Sequence, residues 1–316
     1  MYMTFFHLER RPFEISPDPS MFYATPQHQE ALAGLYYGIR AAKGFMVLTG
    51  EVGTGKTLVV RCLQELLDKK RVAYAYVFNP RLSSQQFLSY VAGDLGLSPR
   101  PTSKSELLLG LGRLLIEHHR HGVTTLLVVE EAQHLSPVVL EEIRILTNLE
   151  TPMGKLLQIL LVGQPELAKK LDSPDLRQLK QRITHWFRLA VLSQEETSNY
   201  VQCRLKLAGD KSGEIFTPMA LERVYQYSQG TPRLINILCD HAMISALALR
   251  QERIAPELIE EAASNLRVDR STGNGHATTT GDPWRLDDES LEMDNFAGVA
   301  ETGRPETDFP AKEKSQ

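Results

Sequence analysis

The sequence contains few cysteines, and the three that are present, Cys62, Cys203 and Cys239, lie far apart. No pair has the C-x-x-C spacing typical of a zinc site, and the odd number argues against a disulfide framework. Each cysteine lies in a pattern typical of a helix, where it usually serves as a small core residue. These features favour a reducing compartment, so we expect a cytoplasmic protein.

Long hydrophobic runs are also missing from the sequence. No stretch approaches the roughly 18 apolar residues that are needed to cross a bilayer. The N-terminal segment lacks the basic start and the apolar run of a signal peptide. The sequence therefore predicts no direct insertion into a membrane.

The chain has no strong excess of positive charge. Its net charge is −4, and the segment from Asp269 to the C-terminus holds eleven acidic and five basic residues. Residues 1–268 therefore carry about +2. So weak an excess predicts no strong electrostatic attraction to nucleic acid, although it leaves room for a local basic patch.

Short apolar segments alternate with amphipathic segments over the first 190 residues. We expect strands at Phe45–Thr49, Val72–Phe78, Thr125–Glu130, Leu156–Val162 and His185–Leu189. We expect helices near residues 26–42, 56–68, 84–95, 105–120, 137–149 and 174–182. Strands that are apolar throughout and are separated by helices predict a parallel sheet covered on both faces. The predicted fold class is therefore α/β, with a doubly wound, five-stranded sheet.

The strand pattern stops after about Val191, and four helical segments follow. They are Ser193–Ala208, Pro218–Gln229, Arg233–Arg250 and Pro256–Leu266. Beyond about Val268 the composition shifts to glycine, serine, threonine and acidic residues, which predicts a disordered acidic tail. The expected domains are an α/β domain at 1–190 that includes an irregular N-terminal arm, a helical domain at 191–268 and the tail at 269–316.

A phosphate-binding loop follows the first predicted strand and precedes a predicted helix. It fits the pattern G-x-x-x-x-G-K-S/T in full, with Gly50, Glu51, Val52, Gly53, Thr54, Gly55, Lys56 and Thr57. The glycines let backbone N–H groups turn toward the phosphates. Lys56 is expected to contact the β- and γ-phosphates, and the Thr57 hydroxyl is expected to bind Mg²⁺. The loop therefore predicts ATP and Mg²⁺ as cofactors.

Two adjacent carboxylates, Glu130 and Glu131, end the third predicted strand. The carboxyl edge of the sheet is where open α/β folds bind their ligands. We expect Glu130 to hold Mg²⁺ through water and Glu131 to act as general base for the attacking water. The magnesium position usually carries aspartate. The extra methylene group of Glu130 makes slow hydrolysis a second expectation.

The order of these motifs resembles an AAA+ ATPase, and finer motifs resemble the general secretion pathway protein A family over roughly residues 1–266. These motifs are Pro17-Asp-Pro19, His28-Gln-Glu-Ala-Leu32, Phe78-Asn-Pro80, Glu131-Ala-Gln133, Leu161-Val-Gly-Gln-Pro-Glu-Leu167, Leu176-Arg-Gln-Leu-Lys-Gln-Arg182 and Gly230-Thr-Pro-Arg-Leu-Ile-Asn236. The resemblance implies a P-loop NTPase domain followed by a helical lid. Relatives often add a transmembrane helix and a peptidoglycan-binding domain, and we expect neither here.

The resemblance also implies roles for individual residues. Gln164 matches the first sensor, which positions water against the γ-phosphate, and Arg233 matches the second sensor on the lid. Asn79 matches a residue that sequesters the catalytic glutamate until a partner binds. Arg182 matches the arginine finger that completes a neighbouring subunit's site, and Arg177 is the alternative candidate for this role. The finger implies a homo-oligomer that assembles on ATP binding.

Three functions stay open on the sequence. The first is an ATP-hydrolysing switch that assembles or remodels a protein client of a secretion or envelope system, in the cytoplasm or peripherally at the inner membrane. The second is a DNA-associated ATPase that resembles transposition-target regulators on duplex DNA. The third is an ATP-gated scaffold with little hydrolysis. The acidic tail, with hydrophobic residues such as Trp284 and Phe296, favours a protein partner and hence the first function.

Overall fold

Five parallel strands form the main sheet of the computed structural model, which describes residues 2–68, 71–78, 80–97, 103–152 and 154–268. The strands are β1 (Phe45–Gly50), β2 (Val72–Val77), β3 (Thr124–Val129), β4 (Leu157–Gly163) and β5 (Ile183–Leu189). Their order is β2-β3-β4-β1-β5, and every neighbouring pair is parallel. The predicted α/β class is confirmed, and the carboxyl ends of β3, β4 and β1 lie side by side.

The central strands are buried on both faces of the sheet. Every residue of β1 and β4 is buried. Val47 and Leu127 pack into the core on one face, while their neighbours Leu48 and Val128 pack into the core on the other. Because successive side chains of a strand point to opposite faces, a strand between two layers of helices must be apolar throughout.

Helices lie before and between the strands, and those that pack on the sheet cover both of its faces. They are α1 (Tyr2–Phe5), α2 (Pro26–Arg40), α3 (Lys56–Leu66), α4 (Ser84–Asp94), α5 (Lys104–Arg120), α6 (Pro137–Leu146), α7 (Pro165–Leu171) and α8 (Arg177–Lys180). Helices α2 and α3 pack on one face, and α4 to α7 pack on the other. Ser83 and Ser103 begin α4 and α5 with capping boxes, which satisfy N–H groups at the helix start.

Some elements differ from the sequence-based prediction. A short antiparallel hairpin pairs Glu150–Thr151 with Gly154–Lys155, and α6 ends at Leu146, earlier than expected, because the chain turns into this hairpin. The predicted helix at 174–182 forms as a 3₁₀ turn followed by the short α8. Helix α7 was not predicted. Its seven residues are too few for a periodic apolar pattern to stand out.

Four further helices form the predicted lid. They are α9 (Gln194–Leu207), α10 (Pro218–Ser228), α11 (Pro232–Leu249) and α12 (Pro256–Asn265). The lid core also contains residues of the N-terminal arm, namely Tyr2, Phe6, Leu8 and Phe13. These arm residues therefore pack with the lid helices, and the sequence-based domain bounds stay a prediction. The arm has no helical or strand period, so its pattern cannot indicate which core receives it.

Two predictions concern parts of the chain outside the described residues. These are Asn79, the expected glutamate-sequestering residue, and the acidic tail at 269–316, and both stay predictions. Among the residues that the structure describes, no helix is both long enough and apolar enough to span a membrane.

Candidate functional site

A cavity of about 490 Å³ lies at the carboxyl edge of the main sheet, where β1, β3 and β4 end. Its walls come from the phosphate-binding loop, the loops after β3 and β4, residues 14–18 of the arm, and the lid helices α9 and α11. A cleft of this volume suits a small-molecule ligand. The fold therefore brings the predicted motifs to one concave site.

The phosphate-binding loop turns sharply before α3. Gly53 and Gly55 have φ values of 79° and 95°, a region that residues with a side chain rarely adopt. Gly55 is the residue that caps the start of α3, and the helix begins at Lys56. The first N–H groups of a helix have no partner within it, and the helix dipole favours negative charge there. This geometry suits an anionic group such as a phosphate.

Lys56 is held at the centre of the loop. Its Nζ donates hydrogen bonds to the carbonyl oxygens of Gly50 and Glu51, each at 2.8 Å, and only 8% of the residue is exposed. Burial lowers the pKa of Lys56, and the nearby Glu131 carboxylate is the largest influence that raises it again. A lysine ammonium has three donors, so one remains for a ligand in the cavity.

His28 supports the loop from α2. Its Nε2 lies 3.4 Å from the Thr54 carbonyl oxygen, and its Nδ1 lies 2.6 Å from Thr25 Oγ1. Burial lowers the pKa of His28, which favours the neutral ring. The motif His28-Gln-Glu-Ala-Leu32 of α2 thus contacts the phosphate-binding loop.

Glu130 directly follows β3 and has one unpaired carboxylate oxygen. Burial, together with the nearby Glu130 carboxylate, raises the pKa of Tyr76. Glu130 Oε1 is buried and has no hydrogen-bond partner among the described residues. A buried carboxylate oxygen is costly without a partner, and Mg²⁺ prefers oxygen ligands. The residue therefore fits a magnesium site even though it carries glutamate where aspartate is usual.

Glu131 faces the cavity from an unusual backbone conformation. Its φ and ψ are 48° and 37°, a left-handed conformation that is rare for residues other than glycine. Glu131 Oε2 accepts a hydrogen bond from Gln133 Nε2 at 2.5 Å and a second from Gln164 Nε2 at 3.3 Å. The structure thus brings Glu131 and Gln164 into direct contact, although they lie on different loops.

The lid contacts the phosphate-binding loop through Arg233. The Arg233 N–H donates to the Gly53 carbonyl oxygen at 3.2 Å. A Cβ atom on Gly53 would lie 2.8 Å from Arg233 Cβ, so only glycine allows this approach. The exposed Arg233 side chain therefore lies at the cavity wall, next to the loop.

Arg204 joins the lid to the N-terminal arm. This residue of α9 is only 4% exposed and donates to the carbonyl oxygens of Pro12, Glu14 and Met21 at 2.6, 3.1 and 3.4 Å. Its guanidinium also lies 5.6 Å from the centre of the Tyr200 ring. Because the arm residues that follow Pro12 line the cavity, Arg204 fixes one of the cavity walls.

Replacing Arg204 by Met is expected to lower the free energy of unfolding by about 3 kcal/mol or more, since three backbone carbonyls lose their donor. Urea unfolding measures the loss. Arg253→Met is the matched control, because Arg253 forms an exposed ion pair with Glu214 that should contribute about 1 kcal/mol at most. Equal effects of the two substitutions would show that Arg204 does not hold the arm.

Comparisons with known proteins show what the chain is similar to. Residues 39–171 match a family model described as an AAA domain. The chain is also 44% identical over 274 residues to General secretion pathway protein A of Aeromonas hydrophila. It contains an AAA domain and is related to that protein. The match covers 86% of this chain and 50% of the relative, so the chain spans about half the relative's length.

Solved structures superpose on the chain over most of its length. The Aeropyrum pernix ORC2 protein in its ADPNP-ADP complexes is 19% identical, with a TM-score of 0.61, over 81% of this chain and 71% of that one. The Aeropyrum pernix ORC1 protein in complex with DNA is 18% identical, with a TM-score of 0.62, over 81% and 69%. At this identity the likeness concerns the fold, and it confirms the predicted P-loop NTPase architecture.

Most of the predicted site residues in the described part of the chain line this same cavity. Lys56, Thr57, Glu131, Gln164 and Arg233 all line it. Gly53, Gly55 and Val52 line it too, whereas the predicted loop residues Gly50, Glu51 and Thr54 lie outside its described lining. Within the described part of the chain, the lining also excludes Glu130 and the two candidate finger residues, Arg177 and Arg182.

Two residues of the site were not singled out from the sequence. Gln133 belongs to the motif Glu131-Ala-Gln133, but the sequence assigns it no role, because its hydrogen bond to the Gln164 loop depends on the packing of two strands. Arg204 lies one helical turn after Tyr200 in α9, on the buried face of the helix. A charged residue at such a position could have indicated a buried contact.

Proposed function

We propose that this chain binds and hydrolyses ATP, as a nucleotide-dependent switch that acts on a protein assembly. The main support for the proposal is that Lys56, Glu131 and Gln164 line the same cavity. A phosphate-binding lysine, a carboxylate and an amide that contacts this carboxylate form the minimum set for positioning a phosphate and a water molecule.

The phosphate-binding loop and β3 would hold the nucleotide and its metal. Backbone N–H groups of the loop and Lys56 bind the phosphates. Thr57 and Glu130 are the candidate ligands of Mg²⁺, and Tyr76 lies close to the Glu130 carboxylate. Bound Mg²⁺ supplies charge neutralisation for the phosphate oxygens.

Glu131 and Gln164 are the candidates for activating water. Glu131 Oε2 accepts both amide hydrogen bonds, which leaves Oε1 as the oxygen that can accept a proton from water. Gln164 fixes this carboxylate from the neighbouring loop. Arg233, which lines the cavity from the lid, would approach the γ-phosphate and so report whether nucleotide is bound.

We further propose that a second copy of the chain completes the site. Arg182 directly precedes β5 and lies at the amino edge of the sheet, whereas the cavity lies at the carboxyl edge. The side chain of Arg182 is therefore in no position to serve its own cavity. An arginine finger at this place would act in trans, so that hydrolysis depends on assembly.

The relation to General secretion pathway protein A favours a client in secretion or the cell envelope. A cytoplasmic location, with attachment to the inner membrane through that client, belongs to the same proposal. Duplex DNA is the second candidate partner, because an ORC1 protein with this fold is known in complex with DNA. Stimulation of turnover by duplex DNA would favour this second partner.

Substitution of Lys56 by Ala is expected to weaken ATP binding by about 10- to 100-fold, because a hydrogen bond to a charged group contributes about 1.5–3 kcal/mol. Titration with a fluorescent ATP analogue in the presence of Mg²⁺ measures the affinity. Lys211→Ala, which removes an exposed lysine of the lid, serves as the control. Equal affinity of the two variants would exclude this cavity as the nucleotide site. ATP binding without turnover under any condition would instead favour an ATP-gated scaffold.

A further inference from the structure

The side chain of Gln133 connects the two loops that carry Glu131 and Gln164. Its Nε2 donates to Glu131 Oε2 at 2.5 Å. Its Oε1 accepts a hydrogen bond from the backbone N–H of Gln164 at 3.1 Å. The amide thus uses its donor on one loop and its acceptor on the other, so the positions of Glu131 and Gln164 depend on each other.

The surrounding structure fixes Gln133 from both ends. Lys170 on α7 donates hydrogen bonds to the backbone carbonyls of Gln133 and Leu135, the latter at 2.9 Å, and so holds the turn after β3. Gly163 at the end of β4 leaves room for the side chain, since a Cβ atom there would lie 2.9 Å from Gln133 Oε1. Gln133 itself is only 8% exposed.

We propose that Gln133 is the positioning residue of the site, which holds Glu131 in its left-handed backbone conformation and orients its carboxylate relative to Gln164. This role rests on the proposed hydrolysis of ATP. Gln133 does not line the described cavity, so it acts through Glu131 and leaves nucleotide binding to the phosphate-binding loop. A residue that is locked by packing and by its own hydrogen bonds is what a precisely oriented catalytic group requires.

The consequence is a specific effect on turnover. Gln133→Met keeps the length of the side chain but removes both hydrogen bonds. We expect it to lower turnover at saturating ATP by about 10- to 100-fold, in line with other residues that orient a catalytic group. ATP affinity should stay within about twofold of the wild type, because the loop around Lys56 is untouched.

Gln158, on β4, offers a matched control. It is a second buried glutamine, 1% exposed, whose Oε1 accepts from the Gly44 N–H at 2.7 Å and whose Nε2 donates to the Lys155 carbonyl at 3.1 Å. It lies at the amino end of β4, away from the cavity. Gln158→Met should therefore cost stability as Gln133→Met does, but it should leave turnover per folded molecule unchanged.

Two further variants separate positioning from a general loss of structure. Gln133→Glu keeps the shape of the side chain and an acceptor for the Gln164 N–H, yet it replaces the donor to Glu131 by a second carboxylate. We expect turnover as low as in Gln133→Met. The double variant Gln133→Met/Gln164→Ala should lose less than the product of the two single losses, because both residues act on the same Glu131 oxygen.

The experiment compares these variants and the wild type by Mg²⁺-dependent ATP turnover, titration with a fluorescent ATP analogue, and thermal unfolding. The inference is supported if Gln133→Met and Gln133→Glu bind ATP normally but turn it over slowly, while Gln158→Met matches the wild type. Wild-type turnover in Gln133→Met, or full additivity with Gln164→Ala, would overturn the inference and leave the proposed function intact. Absence of turnover in the wild type would overturn both.

Discussion

Replacement of Glu131 by Gln is expected to lower ATP turnover by about 10²–10⁴-fold, the usual contribution of a general base. The amide has nearly the same shape as the carboxylate but cannot accept a proton from water at neutral pH. ATP affinity should change little, because the proposed ligands of the phosphates are Lys56 and the N–H groups of the loop, and Glu131 is not among them. Turnover at saturating ATP and titration with a fluorescent analogue measure the two quantities separately.

Glu166→Gln is the control for this substitution. The Glu166 carboxylate lies near enough to raise the pKa of Lys56, but it does not line the cavity in the described part of the chain. We expect wild-type turnover from this variant. An equal loss in both variants would mean that the carboxylates act through the charge of Lys56, and the assignment of Glu131 as general base would then be wrong.

Replacement of Arg182 by Ala is expected to lower turnover per subunit by about 10³–10⁵-fold, the range found for an arginine that neutralises charge in the transition state. The effect should be independent of the variant's own ATP affinity, because Arg182 does not line its own described cavity. In the wild type, turnover per subunit should rise with protein concentration, since each site needs a neighbour. A concentration series in saturating Mg²⁺-ATP measures both effects.

Arg177 provides the comparison for Arg182. It begins the short helix α8, and its side chain is exposed. If Arg182 is the finger, Arg177→Ala should keep most of the wild-type turnover. A reversed result would transfer the role to Arg177, whereas full activity of both variants would show that no finger is supplied from this segment.

Local patterns in the sequence account for the main sheet and the phosphate-binding loop. A strand such as β4, which is buried on both faces, has to be apolar throughout. The segments between such strands have apolar residues at helical spacing, which indicates helices. The loop needs glycine at positions with positive φ, such as Gly53 and Gly55, so the loop can be recognised from the spacing of its glycines in the sequence. These features depend on short stretches of chain, which is why they could be predicted.

Features that depend on distant contacts could not be predicted in the same way. The arm joins the lid core through residues such as Phe13, which packs edge-to-face on Phe216. Arg204 binds arm carbonyls that lie more than 180 residues away in sequence. The contact of Gln133 with the Gln164 loop likewise exists only after β3 and β4 have paired. No local sequence pattern indicates such long-range contacts.

A catalytic site that is completed by a neighbouring subunit is tested most directly by mixing two variants, Glu131→Gln and Arg182→Ala, each of which should be nearly inactive alone. The first lacks the base but can supply the finger, and the second lacks the finger but keeps an intact cavity. If a neighbouring subunit completes each site, the mixture should hydrolyse ATP well above the rate of either variant alone. If the mixture stays as inactive as its components while the wild type turns over ATP under the same conditions, a site shared between subunits is contradicted.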